Sequence, residues 1–416
     1  MVSELVRLAN TISHAVATLE ASHYRDNGSV TSYPTEETAA ANCTAVSACM
    51  ELLDRLQGPL NRILPLWNGA PLQAISRFQI AKYVPLTGDI SYRDLSRESN
   101  VPGQQLKQFI RFAIVYHGLF EERRKGFVAH SAGSLALLQY PDAMAGLAQI
   151  DEWFGVFSRT VDATTQFPGY RSNESGYALT HDNQSLFEHL SAKPEKAKQF
   201  AEAMQFFTVA IPEASPHFLV TGYPWADLPT GSTVVDVGGH NGTIARLLAQ
   251  QNKHIKIVVQ DLPYAAEIFA AAATEATEQE QPHDVSFHAA DFFTPQTIVA
   301  DIYLFRWTLM NWSDNDAVLI LRALVPALRP GAKVLVHESL CPKGTGELPL
   351  STERYIRWMN MLMLGVYKSQ LRDEEEWREL FKQADTRFQC VSCWRVPGSA
   401  LGFVQAVWEE GTHGCS

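Results

Sequence analysis

Basic residues are in short supply: 34 Lys and Arg stand against 45 Asp and Glu over 416 residues, a formal net charge of -11. Binding to a phosphate backbone runs on clustered Lys and Arg, so nucleic acid is not expected as a partner. Charge of either sign is thin as well, at 19% against 46% hydrophobic residues, which excludes a disordered or collagen-like chain. No run approaches the ~20 apolar residues that cross a bilayer, so no membrane partner is expected. Glu4 and Arg7 interrupt what would have to be an apolar secretory stretch, and the expectation is a soluble cytoplasmic protein. Cysteines number six, scattered from Cys43 to Cys415. Cys390-Val-Ser-Cys393 has the spacing of a redox or zinc half-site, but nothing completes a four-ligand set. It reads as a strand with two thiols, and no metal is expected.

What remains is an apolar, aromatic chain long enough for two or three domains. Residues 3–22 and 38–56 carry apolar positions at helical spacing, separated by a polar break at Asp26–Glu37. They suit a dimerisation segment over 1–65. Residues 66–140 pattern as three helices, Pro71–Lys82, Ser91–Glu98 and Pro102–His117. A hairpin follows, with Leu119-Phe120 and Phe127-Val128 flanking the basic turn Glu121–Gly126. That is a winged-helix pattern, yet its third helix offers only Lys107 and Arg111 as cations and Glu121 and Glu122 dilute the wing. A dimerisation module is the expected role. Residues 141–230 are helical and aromatic, suited to lining an apolar ligand pocket.

From Gly231 onward strands and helices alternate. Apolar strands at 233–237, 255–260, 285–289, 302–306 and 333–337, separated by helices, predict a doubly wound Rossmann-like α/β domain over 231–416. Ligands of such sheets bind at the carboxyl ends of the strands.

The strongest chemical signal sits at the end of the first of these strands: Asp236-Val-Gly238-Gly239-His-Asn-Gly242-Thr243. A strand running into a glycine turn that opens a helix lets backbone approach a ligand and aims free N–H groups at it. Alone, this would suit NAD, FAD or S-adenosylmethionine, although the spacing departs from G-x-G-x-x-G. Asp261, closing the next strand, can accept from both ribose hydroxyls. Asp291-Phe292, closing the third, offers an acceptor for an adenine amino group and a ring to stack on the base. A nucleoside without a second phosphate-bearing half fits this set.

Asp236-Val-Gly-Gly, Asp261-Leu-Pro, Ala290-Asp-Phe-Phe293, and Phe305-Arg306-Trp307 through Asn311-Trp-Ser-Asp314 together resemble the S-adenosylmethionine-dependent O-methyltransferases of the plant caffeate type, in their fungal branch. The resemblance covers nearly the whole chain. It implies a homodimer, S-adenosyl-L-methionine as cofactor, and Gly238, Gly239, Asp261, Asp291, Phe292 and Arg306 as the residues that hold it.

One position departs. The family's segment Arg-Trp-x-x-His-x-Trp carries the general base, and here it reads Arg306-Trp-Thr-Leu-Met310-Asn-Trp312. A thioether takes no proton at neutral pH, and a missing base costs on the order of 10²–10⁴ in rate. The family's first supporting Glu is present as Glu338; the second falls at Gln370 or Leu371. This combination is similar to that of the O-methyltransferase-like pericyclases of the leporin and pyridone type. By that resemblance the chain dehydrates a polyketide or pyridone alcohol to a quinone methide. It then directs an Alder-ene or hetero-Diels–Alder closure, with the bound sulfonium as a fixed charge. The alternative is methyl transfer to an already acidic hydroxyl. Either way the substrate is a small secondary metabolite. The catalytic candidates are His130, which matches a substrate-contacting His of the leporin-type enzymes, Met310 as a packing wall, Glu338, and His337, whose strand position points it to the opposite face.

Overall fold

The computed structural model describes residues 3–22, 35–62, 68–140, 142–275 and 284–410. Most of the polar break expected at Asp26–Glu37, and Cys415, lie outside them. Two compact units emerge: a helical unit of residues 57–168 and 173–211, and a sheet unit drawn from residues 1–56, 169–172 and 212–416.

In the helical unit the three expected helices run over Ala70–Arg77, Tyr92–Ser99 and Gly103–His117. The first stops short of Lys82 because Gln79 turns left-handed at φ 52°, and the chain continues as a 3-10 turn, Ile80–Tyr83. Ile75, Ile80, Leu95, Leu106, Ile110 and Ala113 form its core. The hairpin is different from the sequence pattern. Strand β2 (Phe127–Val128) pairs antiparallel with β1 (Ile90–Ser91), and the expected partner segment contributes a single bridge, Glu121 to Ala129. Phe120 sits at φ 66°, which no strand accommodates, and its ring goes into the core instead. The basic turn is neutralised locally: Arg111 bonds Glu122 at 2.7 Å, Arg123 bonds Glu121 at 2.5 Å and Arg124 bonds Asp89 at 2.9 Å.

The sheet unit is built on five parallel strands, β3 (Thr233–Val237), β4 (Lys256–Asp261), β5 (Val285–Ala289), β6 (Ile302–Arg306) and β7 (Lys333–Glu338). Two more, β8 (Phe388–Arg395) and β9 (Gly402–Trp408), extend it antiparallel, giving the order β5-β4-β3-β6-β7-β9-β8. Alternate residues feed two cores, as a sheet covered on both faces requires. Val235, Val237, Phe305 and Val336 pack against Leu321, Trp377 and Phe381 on one side. Val234, Val259, Leu304 and Leu335 pack against Leu219 and Leu248 on the other. A helix over Glu36–Arg62, kinked at Gly58, adds small residues to this unit: Ser47 Oγ lies 2.8 Å from Ser351 Oγ and Cys43 Sγ 3.2 Å from Thr352 Oγ1. Of the Cys390–Cys393 pair only Cys393 is a free thiol; Cys390 is disulfide-bonded, so the two-thiol strand is corrected.

Candidate functional site

The glycine turn does what its sequence requires. Gly238 has φ 77°, His240 φ 48° and Gly242 φ 74°. A Cβ on Gly239 would come within 2.5 Å of Asp236 Oδ2, so glycine alone fits there. The turn is tied to the next strand: Gly238 N–H donates to Gln260 O at 2.7 Å and His240 N–H to Asp261 Oδ2 at 2.9 Å. Asp261 Oδ1 accepts from Leu262 N–H at 2.7 Å, so both oxygens are oriented by backbone. Burial nevertheless pushes its pKa up. Asp291 lies at the end of β5 with Oδ1 accepting from Phe293 N–H at 2.9 Å. Phe292 and Phe293 each meet the Trp312 ring edge-on, at 5.8 and 4.9 Å. Beneath them Gln260 and Gln296 form a buried reciprocal amide pair at 2.7 and 3.1 Å, which the sequence did not flag.

Arg306 ends β6. Its Nη2 donates to Ala214 O at 2.9 Å, while Nε is buried without a partner, and burial lowers its pKa to about 10. Asp236, 2% exposed, has Oδ2 unpartnered, and burial raises its pKa to about 7. His337 is wholly buried, and neither ring nitrogen finds a partner. It stands opposite Arg306 on one side and Phe403 on the other in the sheet register, its ring 4.5 Å from that of Phe403. Burial, then the Arg306 charge, lowers its pKa well below the usual range, which keeps the imidazole neutral. Buried polar atoms are seldom left unpaired in a native fold, so orphaned atoms at the strand ends are what a ligand-ready site looks like. An uncharged nucleoside alone would leave them unmet. S-adenosyl-L-methionine, with a nucleoside, a carboxylate and an ammonium, supplies groups of the right kind.

The loop after β6 is organised on different terms. Met310, 4% exposed, occupies the base position in a 3-10 turn, Leu309–Asn311. Its N–H donates to Glu338 Oε2 at 3.1 Å and its carbonyl accepts from Ser369 Oγ at 2.7 Å. Arg372, 1% exposed, donates to Leu309 O at 3.1 Å, Trp312 O at 2.8 Å and Asp314 Oδ1 at 2.8 Å. Glu338 is buried and pushed up to about 7, with Arg372 and the loop N–H groups pulling the other way. Leu371, at one of the two positions where the second Glu was expected, is a buried apolar side chain, and Gln370 is half-buried beside it. The segment that delivers Ser369 and Arg372 is unusual: the helix Leu350–Leu362 runs into a π-turn, Met363–Tyr367, and Lys368 follows at φ 56°. Sequence reasoning passed over Arg372, although an Arg directly before the Asp373 helix cap was a usable signal.

His130 belongs to the helical unit. Its Nδ1 pairs with Ser134 Oγ at 2.9 Å and its Nε2 with Val84 O at 3.1 Å, so both nitrogens are occupied at home. The aromatic residues of that unit largely pack on one another, Trp153 stacking on Phe207 at 5.2 Å. Its cavity of about 750 Å³ is polar and holds the pairs Arg77–Asp151 and Lys196–Glu152. Among the described residues no cluster of three or more His, Cys, Asp and Glu could hold a metal, and no helix is long and apolar enough to cross a membrane.

A family model described as an O-methyltransferase domain matches residues 170–387. The chain is 35% identical over 420 residues to the grayanic acid biosynthesis cluster O-methyltransferase of Cladonia grayi, covering 98% of this chain and 89% of that one. It is 36% identical over 429 residues to O-methyltransferase pyvH of Aspergillus violaceofuscus, covering 98% and 99%. The chlorophenol O-methyltransferase of Trichoderma longibrachiatum is 32% identical over 374 residues, covering 87% and 79%. Among solved structures, OxaC in complex with SAH and oxaline superposes with TM-score 0.74 at 18% identity, covering 98% of this chain and 100% of that one. A pericyclic reaction enzyme superposes with TM-score 0.74 at 15% identity and the same coverage. Both structural likenesses are of fold alone.

Proposed function

The chain belongs to the O-methyltransferase family, with S-adenosyl-L-methionine as cofactor, and within it we propose that it methylates a hydroxyl acidic enough to arrive ionised. An enolised dicarbonyl or an acidic phenol of a fungal secondary metabolite fits that description. The observation that carries the reading is Met310, a thioether at the base position beside a cofactor face that is otherwise complete. Gly238 and Gly239 admit the cofactor to the backbone, Asp261 takes its ribose hydroxyls, Asp291 and Phe292 its adenine, and Arg306 completes the set. When bound, the cofactor supplies an electrophilic methyl group on a sulfonium. Met310 takes up no proton and presents apolar surface that keeps water from the base position. A phenol with pKa near 10 is mostly protonated at pH 7, so the acceptor must bring its own acidity. His130 is satisfied within its own unit and His337 is a neutral buried ring, so neither is assigned the base's role. Glu338 acts as the acceptor that shapes the loop. A relative named for chlorophenol agrees in acceptor chemistry.

Methyl-labelled cofactor and a series of phenols and enols of graded acidity test this. Transfer at pH 7 should favour acceptors with pKa below 7, and Met310→His should raise kcat/KM for an ordinary phenol by about 10². Equal rates for acidic and ordinary phenols in the unaltered enzyme would refute it.

The second reading is the pericyclase: dehydration of a polyketide or pyridone alcohol and steering of its ring closure, which needs shape and fixed charge and no base. Met310 favours it as well. Relatives at 32–36% identity over most or all of the chain carry methyltransferase names, whereas the pericyclic enzyme is similar at 15%, so methyl transfer comes first. An unlabelled, dehydrated ring product formed with the cofactor unconsumed would reverse the order. We further propose a homodimer, with 1–65 and the winged-helix-like 66–140 as its dimerisation parts. Leu53 and Leu56 stand 53% and 67% exposed on their helix, a surface such a partner would cover.

A further inference from the structure

We propose that Trp307 donates its indole N–H to the ionised oxygen of the methyl acceptor and so selects the anion over the neutral hydroxyl. The inference rests on the methyl-transfer reading above and adds to it the group that receives the acceptor's charge.

Trp307 is an outlier twice over. Its φ is 54°, a left-handed backbone that bulky residues rarely adopt. Its Nε1–H is buried and has no partner. Other side chains carry buried polar atoms without partners, Asp236, Arg306, His337 and Tyr355 among them, and other residues turn left-handed, but among the described residues only Trp307 does both. The other unpartnered indole, Trp377, lies on the helix Glu374–Ala384 and packs wholly buried in a core. Backbone strain persists only where neighbours over-determine it, and it gathers at ligand clamps. Here the peptide groups on both sides of Trp307 are gripped: Thr308 Oγ1 donates to Arg306 O at 3.1 Å and Asn311 Nδ2 to Trp307 O at 3.0 Å.

The left-handed turn has a geometric result. An extended residue after Arg306 would send its side chain to the opposite face of the sheet. The turn instead brings the indole back against the Arg306 guanidinium, 4.4 Å from the ring centroid. It also leads into the 3-10 turn Leu309–Asn311 that carries Met310, so indole and base position share one tight loop at the carboxyl end of β6. An indole N–H donates and never accepts, so the partner it lacks is an acceptor atom. With no base at Met310 the acceptor arrives ionised, and a hydrogen bond to an ionised oxygen is roughly twice as strong as one to a neutral oxygen. Methyl transfer removes that charge, which fixes the sign of the kinetic effect. The hydrogen bond is stronger to the bound anion than to the partly neutralised oxygen of the transition state, so it lowers KM and does not raise kcat.

Trp307→Phe keeps a ring against Arg306 and deletes the N–H. With an acidic phenol as acceptor it should raise KM by about tenfold or more, the loss expected for one hydrogen bond to a charged group, and leave kcat unchanged or higher. Calorimetric affinity for S-adenosylhomocysteine should stay the same, and melting temperatures read alongside separate a lost contact from lost folding. Asn311→Leu, which releases the Trp307 carbonyl and leaves the indole intact, should move KM in the same direction. A further measurement needs no turnover: a nitrophenol, coloured when ionised, titrated by absorbance in its complex with the full chain and S-adenosylhomocysteine. Bound to the unaltered protein it should ionise at lower pH than in free solution, and Trp307→Phe should bring the midpoint back by about one pH unit. KM and ionisation unchanged in Trp307→Phe overturn the proposal. So does a loss of S-adenosylhomocysteine affinity equal to the loss for the phenol, which would give the N–H to the cofactor. Absence of methyl transfer to every acidic acceptor would overturn the methyl-transfer reading itself, while the absorbance titration still reports on the indole.

Discussion

Two neighbourhoods of the sheet unit, both at the carboxyl ends of the strands, handle buried polarity in opposite ways. Around Arg306 the polar atoms are buried and unmet: Nε of Arg306, Oδ2 of Asp236, the Tyr355 hydroxyl and both His337 nitrogens. Around Met310 the loop's backbone groups are met by side chains: Glu338 for the Met310 N–H, Ser369 for its carbonyl, Arg372 for the carbonyls of Leu309 and Trp312. An unmet buried group is held in place at a cost that a ligand relieves, whereas a met one is scaffold. The contrast explains how Glu338 can be present in a chain whose base position is methionine. It shapes a turn, and shaping a turn does not require a base next door.

Three perturbations test that contrast. The largest effect is expected at the satisfied loop. Arg372→Met strands two carbonyls and leaves Glu338 without its compensating cation, so denaturant unfolding should show a loss of about 3–5 kcal/mol. A loss below about 1 kcal/mol would mean that the loop is held by something else. At the unsatisfied face the sign should reverse. Arg306→Met removes a buried cation with an orphaned donor, so the cofactor-free protein should melt at the same temperature or higher while S-adenosylhomocysteine binding falls by about tenfold or more. Parallel loss of stability and affinity would place Arg306 among the scaffold residues.

The smallest effect is a pH dependence. Asp236 carries a pKa raised to about 7, so the folded state holds a proton there that the unfolded chain releases near pH 4. Its contribution to stability is therefore fully present at low pH and fades as pH rises through 7. Histidines that burial pushes down, such as the buried His130 and His337 and the half-buried His217, act oppositely, but only below about pH 6.5, where the unfolded imidazole is charged. Between pH 6.5 and 8 the melting temperature of the cofactor-free protein should fall, and Asp236→Asn should flatten that fall. An unchanged slope in the variant would move the titration to Glu338, which shares the same raised range.

The sequence was legible where a residue type has one structural meaning. Apolar runs, with alternation in β5, marked β3 to β7 to within a residue at each end, and the glycines marked the turn beside Asp236, where a Cβ on Gly239 would clash. It was illegible where meaning depends on a partner. The Cys390–Cys393 segment reads as a strand, and it is part of β8, but its place in the sheet was not legible because its alternation is broken between Gln389 and Ser392, with Cys390 at φ 51°. The supposed hairpin failed because Phe120, apolar and β-prone, turns left-handed into a core. Tyr355 and Arg372 could not be separated from ordinary helix and loop residues, since what distinguishes them is which neighbours their polar atoms have.

The register of β9 carries one further consequence. Phe403, the residue against His337, lies on β9, and that strand pairs with β7, completed some sixty residues earlier in the chain. A ribosome making this protein therefore cannot finish the strand-end face until β9 has left the exit tunnel. Any help that a bound small molecule gives to folding therefore waits for β9, and a chain truncated before β9 would lack it.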